Sequence, residues 1–136
     1  MKTIAAVIIA AATFNAFAED PSSRCIAGLA GDARLVAIAD KVGLDTPREP
    51  NSPTLQRYAS AEERAALAVW QGLRRQCFDA AEPQRRKTLD AQSRSSIQSA
   101  FIFQQLLLSR VQQGELTYGE FNQRRAEVAE SFDASI

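Results

Sequence analysis

Apolar residues from position 22 onward recur at three- and four-residue spacing, and no segment alternates apolar and polar residues as a half-buried strand does. The pattern predicts an all-α protein, a small bundle of three to four main helices closed by a C-terminal αα-hairpin. Residues 22–42 carry Ile26, Leu29, Leu35, Val36, Ile38 and Val42. Gly28 and Gly31 weaken the first half, Asp32 can cap a fresh start at Ala33, and Gly43 stops the run. One broken helix or two short ones are expected there.

Pro47, Pro50 and Pro53 exclude a long helix over residues 45–59, where Leu55 and Tyr58 can form a single turn packed on the core. Ser60 to Glu63 reads as a capping box in which each residue satisfies the other's backbone N–H. The helix it opens sets Ala66, Val69, Trp70, Leu73 and Cys77 on one stripe, with Trp70 as a packing residue. Pro83 suits the first turn of a third helix, polar and basic at its start except for Leu89. From Ile97 onward, Ala100, Phe101, Phe103, Leu107, Leu108 and Val111 cover a broad arc. Ile102 and Leu106 form a second stripe on the far side, which either packs inside a central helix's surroundings or meets a partner.

Gly114 ends that helix. Thr117 with Glu120 makes a second capping box, and Leu116 with Phe121 takes the positions of a hydrophobic staple. Phe121, Val128 and Phe132 then share one face of the last helix. Tyr118, next to the cap, is expected to be part-exposed, either as a contact residue or folded onto its own hairpin.

The first eighteen residues do not belong to this pattern. Met1-Lys2 followed by the apolar run Ile4 to Ala12 and by Ala16-Phe17-Ala18 has the layout of a secretory signal peptide cut after Ala18. The apolar stretch is too short to span about 30 Å of hydrocarbon as a helix. Residues 1–18 are therefore read as a signal peptide and 19–136 as a single helical domain, periplasmic or secreted, with no transmembrane segment after cleavage.

Export changes the reading of the only two cysteines, Cys25 and Cys77. They are expected to form a disulfide, and the core-facing stripe that ends at Cys77 agrees. Its closed loop of roughly 53 residues contributes about 4 kcal/mol in the chain-entropy picture. Ser22-Ser23-Arg24 before Cys25 argues against a lipid anchor.

The 16 basic and 16 acidic residues balance, and loss of Lys2 leaves one negative charge in excess. Nothing there attracts nucleic acid. Histidine is absent, which removes the commonest general base and metal ligand. No catalytic, metal or cofactor motif is present, and Glu62 and Glu63 suit a helix N-terminus as they stand. The sharpest charge feature is Arg74, Arg75, Arg85, Arg86 and Lys87. These five either form an anion patch for an acidic surface ligand or a solvated face neutralised by Asp79, Glu82 and Asp90.

Leu106-Leu107-Leu108, Gly114-Glu115-Leu116-Thr117, Glu120-Phe121 and Arg124-Arg125 resemble the C-terminal hairpin called SHOCT, which implies an interaction or oligomerisation element over about 25 residues. Trp70, Arg74 and Cys77 resemble the W-x-x-x-R-x-x-x-C helix of small exported lysozyme-inhibitor-like domains, with the cysteine one residue early. As a whole the chain is similar to uncharacterised bacterial exported helical proteins with one disulfide. The expectation is a non-enzymatic protein that binds another envelope protein or itself. The alternative is an envelope inhibitor or chaperone, lysozyme-inhibitor-like or an acid-stress holdase.

Overall fold

Asp32, Ser60 and Asp90 each start a helical run in the computed structural model, which describes residues 20–44, 49 and 51–133. The signal peptide, Glu19, and Pro47 and Pro50 of the irregular segment lie outside the described residues. Asp32 accepts from the Arg34 N–H at 2.9 Å, Ser60 from Glu63 at 3.3 Å and Asp90 from Ser93 at 2.7 Å. Each bond satisfies a donor that a first helical turn leaves without a partner.

The elements in order are α1 (Ser23–Gly28), 3-10 turns at Leu29–Gly31 and Ala33–Ile38, and α2 (Ala39–Val42). A single turn at Pro53–Leu55 follows, then α3 (Ala61–Ala80), α4 (Glu82–Thr88), α5 (Ala91–Gln112) and α6 (Tyr118–Asp133). The described residues are all-α, with no strand. Gly43 and Gly114 close α2 and α5 at φ 57° and 74°, a region a side chain at Cβ disfavours. At Gly114 a Cβ would also stand 2.8 Å from Arg64 Nη2.

One core gathers Leu35, Ile38 and Val42 from the N-terminal arm, Leu67 and Trp70 from α3, and Leu108 and Val111 from α5. Leu116 and Phe121 join it from either side of the Thr117 cap, as a hydrophobic staple does. Leu55 is buried there too, whereas Tyr58 is exposed. A second, smaller core holds Phe78, Ile97 and Phe101 with Leu89 against it. Cys25 and Cys77 are joined as a disulfide, Cα atoms 5.6 Å apart, and tie α1 to α3.

The expected third helix is two helices. Leu89 is extended (φ −118°, ψ 145°) and Asp90 starts α5 afresh. The polar opening turns offer one apolar side chain, Leu89, and the break turns it into the second core. Ser60 fills its half of the capping box, but the Glu63 carboxylate turns away to Arg57 and Tyr118. Phe103, placed with the inner arc by its spacing, is 52 % exposed. It sits at the edge of the arc that α3 and α6 cover, its ring 6.2 Å from that of Phe132 on α6, between the inner arc and the outer stripe of Ile102 and Leu106.

Candidate functional site

The α3–α5 seam is zipped by glutamines. Gln71 Nε2 donates to the Gln105 carbonyl and to Ser109 Oγ, both at 3.0 Å, and Gln105 Nε2 donates back to the Gln71 carbonyl at 3.2 Å. Gln112 donates to Gln71 Oε1 at 2.7 Å. These bonds cross between antiparallel helices, so they fix register as well as distance.

Above this seam runs a groove of about 450 Å³, lined by Ala68, Gln71, Gly72, Arg75, Ile102, Gln105, Leu106 and Ser109. Ala68 and Gly72, one turn apart on α3, keep its floor low, and a Cβ at Gly72 would meet nothing within 4 Å. Ile102 and Leu106, one turn apart on α5, stand 47 % and 55 % exposed beside it. Among the described residues the second stripe is thus left about half exposed, not packed in the interior. Among the described residues Arg75 is the one charged residue in the lining. Gln105 is buried, and its Oε1 has no hydrogen-bond partner.

The five cations do not form one patch. Arg74 is 4 % exposed, because it follows Trp70 by one turn on the core-facing stripe. Its guanidinium lies 5.2 Å from the Trp70 ring, its Nη2 donates to Gln104 Oε1, and its Nε has no partner. Burial first, and Arg125 second, lower its pKa to about 9. Arg85 is buried as well, donating to Asp20 Oδ1 at 3.0 Å, to the Phe78 carbonyl, and to Glu82 Oε2 at 3.3 Å.

Arg75, Arg86 and Lys87 are exposed. Arg75 and Arg85 lie at opposite ends of an aromatic pair. Phe78 and Phe101 stack with centroids 4.0 Å apart and planes at 8°. Arg85 covers the Phe78 face at 3.7 Å, and Arg75 the Phe101 face at 5.5 Å. Arg85 and Arg86 line a separate pocket with Glu82, Arg94, Ser95 and Gln98, of which the sequence pattern did not single out Ser95 and Gln98.

Tyr118 is not a surface contact residue. It is fully buried, and its hydroxyl donates to Glu63 Oε2 at 2.5 Å, while Arg57 Nη2 donates to Glu63 Oε1 at 2.8 Å. Burial, then the Glu63 carboxylate, push the phenol far above its ordinary range. Burial alone raises the Glu63 pKa, but the hydrogen bonds from Arg57, Tyr118 and Ser60 together outweigh it and lower it. No sequence spacing announces this triad, since Glu63 and Tyr118 meet only through the fold.

Among the described residues no helix is long and apolar enough to cross a membrane, and no three His, Cys, Asp or Glu side chains gather as metal ligands. Comparison with protein-family models, curated proteins and solved structures returns no match.

Proposed function

We propose that this is an exported, non-enzymatic helical protein of the periplasm or cell exterior, whose α3–α5 groove takes an amphipathic helix of a partner envelope protein. The observation that carries the reading is the outer face of α5. Ile102 and Leu106 are each about half exposed and line a groove between two locked antiparallel helices, and half-exposed Phe103 flanks them on the side of Phe132. Adjacent exposed apolar residues rimmed by polar ones mark interaction sites. A helix laid in the groove meets small residues on one wall and large apolar ones on the other.

Charge selects the occupant. The lining offers one guanidinium, Arg75, and no carboxylate, so the partner helix carries an acidic residue opposite it. The likeness of the α5–α6 hairpin to SHOCT modules leads the same way. The disulfide suits an oxidising compartment, and the signal-peptide layout of residues 1–18 supports export.

A photo-crosslinking residue at position 106, with a control at exposed Val36, tests this in cells. The expected product forms from position 106 alone, contains a second protein, and is lost in Arg75→Glu and in Ile102→Asp. A product equal at both positions, or one indifferent to Arg75, overturns the reading. A product made of two copies of this chain replaces the partner helix by self-association.

A further inference from the structure

We propose that the pocket at the corner of α3, α4 and α5 binds a phosphate or sulfate group, presented either by a small soluble ester or by a lipid headgroup. The pocket holds about 400 Å³ and lies away from the groove. Its lining sets three guanidiniums, Arg85, Arg86 and Arg94, against one carboxylate, Glu82. Glu82 is occupied on both oxygens, by Arg85 Nε at 3.3 Å and Arg86 Nε at 2.9 Å. Glu82 engages Arg86 through Nε and not through its terminal nitrogens, and Arg94 makes no salt bridge among the described residues, although the Asp90 carboxylate acts on it through space.

Arg85 forms the fixed back wall. Asp20 and the Phe78 carbonyl hold it, and its guanidinium lies 3.7 Å from the Phe78 ring centroid. Arg94 and Gln98 follow one another by a turn on α5, with Ser95 beside them, so a cation, an amide and a hydroxyl converge from one side. Arg86 closes in from α4.

Asp20 and Glu82 offset the charge of Arg85 and part of that of Arg86, so geometry selects the ligand: donors on two sides match the diverging oxygens of a tetrahedral oxyanion better than a planar carboxylate. Exposed Ala91 at the rim, a small side chain, leaves room for the group that bears it.

Calorimetric titration of the mature protein with inorganic phosphate and with sulfate, at ionic strength balanced by chloride, tests the site. The expected result is saturable one-to-one binding that Arg86→Gln and Arg94→Gln each weaken about tenfold, the scale of one charge-assisted hydrogen bond. Lys87→Gln, an exposed neighbour outside the pocket, leaves it unchanged. A second arm compares vesicles of phosphatidylglycerol in phosphatidylcholine with phosphatidylcholine alone. Co-sedimentation with the anionic vesicles that both arginine variants abolish assigns a lipid headgroup. Phosphate binding without vesicle preference assigns a soluble ester. Absence of saturable phosphate and sulfate binding, or an equal loss in Lys87→Gln, overturns the proposal, as does vesicle binding indifferent to Arg86 and Arg94.

Discussion

Asp20 and Arg85 lie 65 positions apart and meet as a buried ion pair at 3.0 Å. The pair fastens the first described residue to the α3–α4 corner, close to where the disulfide fastens α1 to α3. Asp20 is therefore built into the fold. Ser22 is also buried there, and its hydroxyl donates to Asp20 Oδ2 at 2.5 Å.

Removing one partner leaves a buried charge uncompensated, which costs about 3–5 kcal/mol. Asp20→Asn is expected to lower the urea midpoint accordingly while far-UV circular dichroism of the native state stays unchanged. A midpoint within error of the parent would mean that the pair is solvated.

The disulfide carries more of the N-terminal segment than packing does. None of the residues of α1, nor of the turn Leu29–Gly31, is buried. Cys25→Ser paired with Cys77→Ser is expected to cost about 4 kcal/mol. Hydrogen exchange should accelerate first over residues 20–31, with α5 and α6 following only at global unfolding. Uniform acceleration over all helices would contradict this division.

Arg74 lies in the core without a carboxylate, and its Nε has no partner. Keeping it charged there works against folding, although the Trp70 ring and Gln104 offset part of the cost. Arg74→Met fills the same space without charge and is expected to raise stability by about 1–3 kcal/mol in chemical denaturation. A loss of stability would show that the ring and amide contacts outweigh desolvation.

The Glu63–Tyr118 pair makes stability pH-dependent at both extremes. The folded pKa of Glu63 lies below its ordinary 4.5. Its contribution is thus full above that value and lost as pH falls through the folded pKa. The folded pKa of Tyr118 lies above its ordinary 10.0. That contribution is full below about pH 10 and declines as pH rises further. Tyr118→Phe is expected to cost about 1–3 kcal/mol at neutral pH and to flatten the alkaline decline. In absorbance titration of the native protein, the parent should ionise no more tyrosine than Tyr118→Phe until it unfolds.

Local chemistry was legible in the sequence where it is local in the fold. Asp32, Ser60, Gly43 and Gly114 start or stop helices as their residue types require, and the stripe ending at Cys77 points that cysteine at Cys25. Asp90 is a cap of the same kind. It went unread because the basic turns before it and the apolar turns after it have continuous helical spacing. Arg74 shares the inner stripe with Trp70, but its polar type masks its position. Whether Ile102 and Leu106 are covered depends on which helices reach the outer side of α5, and spacing along one helix carries no such information. Tyr118 reads as part-exposed in the sequence because the partners that bury it, Glu63 and Arg57, come from the first turn of α3 and the loop before it.

The central claim, that the outer face of α5 is occupied where the protein works, is tested most directly by hydroxyl-radical footprinting. Oxidation of Ile102, Phe103 and Leu106 is measured by mass spectrometry in intact cell envelopes and in dilute purified protein, with exposed Val36 and Tyr58 as references. The account predicts that the three α5 residues are protected severalfold in the envelope while the references are unchanged. Equal oxidation of the three in both samples would contradict it.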